Sequence, residues 1–122
     1  MTSAELLAAR AEGHQRADVA FRMFSYRIKK YIAAYAAAMG GVDAVIFTGG
    51  IGENSPEVRL EALTGLGFMG LEIDSERNAE VLGREGEITT EGSRVKALVV
   101  PVKVPVLVAR ALAKALVVRI RR

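Results

Sequence analysis

Apolar residues recur along the first third of the chain at steps of three and four. Phe21, Phe24, Ile28, Tyr31, Ile32, Tyr35 and Met39 fall on one side of a helix, which predicts a long helix over residues 16–38 with that stripe as its core face. Arg22, Lys29 and Lys30 lie off the stripe and are expected in solvent. A shorter helix over residues 4–11 precedes it, built from good helix formers and stopped by Gly13. His14, the single histidine, falls in the polar turn between the two helices with no partner in view and carries no catalytic expectation.

The pattern then changes period. Residues 42–47 form a short apolar run of β-formers between Gly40-Gly41 and Gly49-Gly50, which predicts a buried strand. Ser55 stands where an N-cap belongs, Pro56 at the first helical position and Glu57 in the first turn, so a helix starts there. Gly65, Gly67 and Gly70 return the chain to a loop before a short alternating strand over residues 71–73. Asp74 and Ser75 cap a modest helix through residue 82, and the acidic, glycine-rich stretch 83–92 reads as an exposed loop or hairpin around Ile88 and Thr89. Residues 95–100 form a second strand apolar enough to lie inside a sheet, ended by Pro101. A last helix is expected over residues 106–118, with Pro105 opening it and Arg119, Arg121 and Arg122 complementing its carbonyl end.

This alternation implies an α/β layer arrangement with a mixed or parallel sheet. The chain has 122 residues, 51% of them hydrophobic, which suffices for one core and therefore for a single domain over residues 1–122. No cysteine is present, which removes disulfides, thiolate metal sites and cysteine nucleophiles and fits a reducing compartment. An acid near the start and no long apolar run after it read as cytoplasmic rather than secreted. Charge is unevenly spread: up to Glu91, nine Lys and Arg face fourteen acids, a net of −5, while from Gly92 onward there are eight bases and no acid, +8. The basic tail carries no aromatic residue for base stacking, so nucleic acid is not an expected partner. Two prolines with Lys103, Arg110 and Lys114 make residues 97–120 a poor membrane span, so no membrane partner is expected either.

The candidate chemistry lies between the first strand and the Ser55 helix. Thr48, Gly49, Gly50, Ile51, Gly52, Glu53 and Asn54 make a turn in which glycines permit positive φ and close ligand approach. The helix start beyond it would add N–H groups and positive dipole that suit a phosphate or the polar face of a nucleotide. Such a turn also needs glycine simply to fold. No Lys-Ser or Lys-Thr follows the last glycine and the order is not Gly-x-Gly-x-x-Gly, which excludes both the P-loop and the dinucleotide fingerprint.

The run from Phe47 through Thr48, Gly49, Gly50, Ile51, Gly52, Glu53 and Asn54 to Ser55, followed by Glu57, Val58 and Arg59, resembles the adenosine-binding signature of acetate kinases and propionate kinases. Residues 24–35, 70–74, 85–89 and 95–101 resemble the family's neighbouring segments in the same order. Nearly the whole chain is covered, and it corresponds to about the C-terminal third of a family member. The resemblance implies an α/β chain forming the C-terminal domain of the actin-like, sugar-kinase-like (ribonuclease H-like) ATPase fold. It also implies that Gly49, Gly50, Ile51, Gly52, Glu53 and Asn54 line the adenosine and α-phosphate side of ATP or ADP, with Asn54 a hydrogen-bonder to adenine or ribose.

Intact relatives would transfer phosphate between ATP and acetate with Mg2+, and would pair as homodimers through this C-terminal part, here the apolar residues 104–120. Arg59 is expected at the surface or between domains. Three departures argue against catalysis by the chain alone. The family's amino-terminal half, with its catalytic arginines, histidine and aspartate, has no counterpart, so a separate polypeptide would have to supply it. The family's Asp-x-Arg element falls on Thr2 and Ala4, and its paired glutamates fall near Val104 and Pro105. Valine and proline offer no hard oxygen for magnesium, so no metal ligand and no catalytic residue is assigned. A non-catalytic dimerisation module and a propionate kinase fragment are the alternative readings.

Overall fold

The computed structural model describes residues 3–101 and 115–118. Two helices open the chain, α1 (Ser3–Ala11) and α2 (Gln15–Met39), with boundaries close to those the periodicity predicts. His14 is the N-cap of α2, its Nδ1 accepting a hydrogen bond from the Ala17 amide at 3.2 Å. Gly40 closes the helix in the left-handed region at φ 72°, its N–H directed to Ala36 and Ala37 carbonyls. Arg10 of α1 pairs with Asp18 of α2 at 2.8 Å and stacks 4.0 Å from the Phe21 ring centroid, which fixes the two helices against each other.

The buried face of α2 differs from the expected stripe. Ala17, Phe21, Ser25, Ile28, Ile32 and Ala36 are buried, whereas Tyr31 and Tyr35 are about half exposed, at 46% and 55%, and stack on each other. Large apolar side chains drew the expected stripe toward the tyrosines. The observed face instead combines the large Phe21, Ile28 and Ile32 with the small Ala17, Ser25 and Ala36.

Strand β1 (Ala44–Phe47) follows, then α3 (Gly49–Asn54), α4 (Pro56–Leu63), a 3-10 turn over Gly67–Met69, α5 (Ser75–Glu80), β2 (Gly86–Glu87), β3 (Lys96–Val99) and β4 (Ala115–Val118). The sheet is mixed, in the order β2-β3-β1-β4: β1 and β3 are parallel, and β4 and β2 run antiparallel to β1 and β3 respectively. Both strongly apolar strands are therefore interior, as their composition predicts. Their burial alternates, however. Val45 and Phe47 of β1 and Ala97 and Val99 of β3 face a core shared with Phe21, Ile28 and Ile32 of α2 and Val58, Ala62 and Leu63 of α4.

Four expectations change. The turn after β1 is not an open loop but the helix α3. Residues 71–73 form no strand, only a bridge between Ile73 and Thr89. Of the two readings of the stretch 83–92, the exposed loop is overturned and strand pairing as in a hairpin is found: it carries β2, antiparallel to β3, and Ile88 and Thr89 are buried, with the Ile88 amide donating to the Ala97 carbonyl at 2.9 Å. Ile88 is apolar enough to join the core, and Thr89 satisfies its hydroxyl by donating to Glu87 Oε1 and accepting from the Ala97 amide. Finally, the expected last helix is replaced at its end by β4, where β-branched Val117 and Val118 complete the sheet edge beside β1. The rest of that expected helix, the apolar 104–120 dimer face other than β4, Val104, Pro105 and Thr2 lie outside the described residues. Among the described residues no helix is long and apolar enough to cross a membrane.

Burial separates the two readings of residues 83–92. Ile88→Ala is expected to lower the unfolding free energy by about 2–5 kcal/mol. Leu82→Ala, at a position 56% exposed, should stay within about 0.5 kcal/mol. Urea denaturation of both variants measures the contrast, and equal small effects would return the segment to a surface loop.

Candidate functional site

The carboxyl end of β1 leads directly into the glycine turn. Thr48 continues the extended backbone at φ −146° and ψ 170°, and its buried hydroxyl has no hydrogen-bond partner among the described residues. Gly49 then takes φ +79°, a conformation that L side chains rarely adopt, and lets the chain swing from the strand into α3. A Cβ built on Gly50 meets nothing within 4 Å, so the backbone there is open to an approaching group.

The six expected site residues do not share one environment. Gly50 and Asn54 are exposed, Gly49, Ile51 and Glu53 are half-buried, and Gly52 is buried. Ile51 packs against the core. Asn54 folds back along its own helix, donating Nδ2 to the Gly50 carbonyl at 3.1 Å. The structure thus divides the run into an outward side, Gly49, Gly50 and Asn54, and an inward side centred on Gly52. Because α3 (6 residues) separates Gly49 from the start of α4, the N–H groups of the Pro56 helix are not at the turn. Ser55 makes no side-chain cap there, and its amide donates to the Ile51 carbonyl instead.

Behind the turn sits a residue whose placement corrects the sequence reading. Arg59 is completely buried at 0% exposure rather than surface or interdomain. Its Nε donates to Asn78 Oδ1 at 2.8 Å; Nη1 donates to the Gly52 carbonyl at 2.8 Å and the Glu53 carbonyl at 3.2 Å. Nη2 donates to the carbonyls of Asn78 and Val81. Asn78 in turn donates Nδ2 to the Pro56 carbonyl at 2.8 Å, and the Gly83 amide donates to the Glu53 carbonyl at 2.9 Å. Burial lowers the guanidinium pKa to about 10, with the charge of Glu57 acting the other way. Arg59 therefore stays charged at neutral pH.

Gly83, at φ +62°, forms the adjoining wall: a Cβ there would stand 3.1 Å from Asn54 Oδ1. Arg59 was detectable in the sequence by position. Ser55, Val58, Arg59, Ala62 and Leu63 follow helical spacing and are all buried, so Arg59 lies on the core face of α4. Nothing in the linear sequence pairs it with Asn78, which is 19 residues away. Among the described residues no group of three or more His, Cys, Asp or Glu side chains could hold a metal ion.

Fold and site together define a mixed α/β unit that presents a glycine-rich turn at the carboxyl end of a parallel strand pair. A profile of the acetokinase family matches residues 3–110, and the chain belongs to that family. It is 51% identical over 105 residues to the acetate kinase of Bacteroides thetaiotaomicron, covering 86% of this chain and 26% of the relative. It is 55% identical over 97 residues to the acetate kinase of Nitratidesulfovibrio vulgaris, covering 80% and 24%. Among solved structures, Porphyromonas gingivalis acetate kinase superposes with a TM-score of 0.77 at 47% identity, covering 80% of this chain and 24% of that one. A propionate kinase from Francisella tularensis gives 0.71 at 31% identity, covering 81% and 25%. The chain spans about a quarter of the length of the curated relatives it matches.

The geometry of the two leading glycines yields a direct contrast. Gly49→Ala places a side chain in the left-handed region and is expected to cost about 1–2 kcal/mol. Gly50→Ala meets no neighbour and should leave stability unchanged or slightly raised, since alanine exceeds glycine inside a helix by about 0.5–1 kcal/mol. Thermal melts of the two variants check this; a larger loss at Gly50 would contradict the open geometry.

Proposed function

We propose that this chain is the nucleotide-binding part of an acetate kinase, equivalent to its C-terminal domain in the actin-like, sugar-kinase-like ATPase fold. In this reading Gly49, Gly50, Ile51, Gly52, Glu53 and Asn54 receive the adenosine and α-phosphate side of ATP or ADP. The observation that carries it is the open backbone at Gly50, at the carboxyl end of parallel strands β1 and β3. Ligands of α/β sheets settle at such strand ends. Family membership supplies the ligand class.

The six residues play different parts. Gly49 and Gly50 admit the ligand, Asn54 offers an amide at the rim, and Ile51, Gly52 and Glu53 form the backing. Thr48 holds a buried hydroxyl, without a partner among the described residues, at the base of the turn, next to the backbone the ligand would approach. Phosphoryl transfer also requires cations over the transferring group, a metal and an acceptor in line. Those groups belong to polypeptide beyond these residues, so the kinase reaction of ATP with acetate is a property of the assembled protein rather than of this portion.

Titration of the chain with ADP, followed by amide chemical shifts, is expected to perturb Gly49, Gly50 and Asn54 first. Gly50→Val should abolish those shifts while the fold persists. No perturbation at millimolar ADP would remove the nucleotide reading. With ATP and acetate the chain alone should show no turnover above a buffer blank; turnover lost on Gly50→Val would overturn the division of labour.

A further inference from the structure

We infer that Arg59 is a positioning residue for the nucleotide turn, acting through the backbone carbonyls of Gly52 and Glu53 rather than by touching the ligand. This rests on the reading of Gly49–Asn54 as the nucleotide site. The side chain is fully buried, and among the described residues its acceptors are carbonyl oxygens from three places: the end of α3, Asn78 of α5 with its side-chain amide, and Val81 just past α5. A planar fork that reaches all three fixes their relative placement.

The consequence for the turn follows from peptide geometry. In a trans peptide the carbonyl and the next amide point in opposite directions. With the Gly52 and Glu53 carbonyls held inward on Arg59, the Glu53 and Asn54 amides are oriented toward the other side. Three of the six residues of α3 are glycine, and without this hold their backbone is free to turn. The same fork ties the turn to Val81, two residues before Gly83, whose amide shares the Glu53 carbonyl and whose missing Cβ leaves room for Asn54 Oδ1. Arg59 therefore sets both the backing of the turn and the distance to its neighbouring wall.

Lysine is not equivalent here. Its ammonium is a point donor and cannot span acceptors on three segments as the guanidinium does. Arg59→Lys is expected to weaken ADP binding about tenfold, the equivalent of one charge-assisted hydrogen bond. In the ligand-free chain, amides of Gly50 to Asn54 should exchange about tenfold faster while those of β1 and β3 keep their protection. Ile88→Val and Ile88→Ala, which trim the core elsewhere, provide a control matched in melting temperature; it should leave both turn exchange and ADP affinity near those of the parent chain.

If Arg59→Lys does not fold, Asn78→Ala, which removes the Nε acceptor together with the Nδ2 bond to the Pro56 carbonyl and leaves the other four Arg59 bonds in place, should show the same selective loosening to a smaller degree. The proposal is overturned if the turn amides loosen no more than the sheet amides in the variant that folds, or if the matched core variant loses as much affinity as Arg59→Lys. Should the parent chain bind no ADP, the function reading fails, and the exchange comparison still decides whether Arg59 orders the turn.

Discussion

The buried guanidinium of Arg59 is the contact on which the candidate site depends. The last carbonyls of a helix have no partner within it. Here the ends of α3 and α5 converge in the interior, where each unsatisfied carbonyl would cost about 1–3 kcal/mol. Arg59 donates to Gly52, Glu53, Asn78 and Val81 from a single side chain, so carbonyls near two helix ends, those of Gly52, Asn78 and Val81 in buried contacts, are capped together. Its burial lowers the guanidinium pKa only to about 10, so the hydrogen bonds remain charge-assisted throughout the neutral range.

That contact is possible because of where α4 lies. Val58, Ala62 and Leu63 turn toward β1 and β3 and join the core, and Arg59 occupies the same buried face. In the parallel register, Val45 stands beside Ala97 and Phe47 beside Val99, with α2 packed across α4. The sheet and the helices define where α4 can sit, and Arg59 carries that placement to the turn. Dense packing makes this transmission stiff, because displacing α4 would open voids among side chains exposed at only a few per cent.

The sequence disclosed those parts of the molecule that rest on local chemistry. The long helix, the strand before the turn, Pro56 at the first position of α4 and Asp74 as the cap of α5 all follow from residues within a few positions of one another. The glycine signature was legible for the same reason. What stayed hidden depends on long-range contacts. Ile88 and Thr89 lie in a glycine-rich acidic stretch and become core only because β3 pairs beside them. Tyr31 and Tyr35 are larger than Ser25 and Ala36, yet the helix buries the face that carries Ser25 and Ala36 beside Phe21, Ile28 and Ile32. Val117 and Val118 sit among helix-compatible alanines and leucines, and the open edge of β1 decides their conformation. Arg59 was misplaced because a charge is ordinarily solvated, and the acceptors that permit its burial lie partly 6 to 7 residues before it, at Glu53 and Gly52, and partly 19 to 22 residues farther along the chain, at Asn78 and Val81.

A turn of bare backbone carries a conflict that the Arg59 contact resolves. Glycine leaves the backbone open because it lacks a side chain, and for the same reason it loses more conformational freedom on folding than any other residue. Gly49, Gly50 and Gly52 together would leave a short helix poorly determined, particularly one of 6 residues that lies below the length at which helices hold themselves. Apolar filling behind the turn could exclude water but could not orient peptide planes. Directional donors can, provided they are numerous and buried. Arg59 on one side of the Glu53 carbonyl and the Gly83 amide on the other supply that direction without placing any side chain on the open face at Gly50. The outward face can therefore remain bare while its geometry is defined entirely from within.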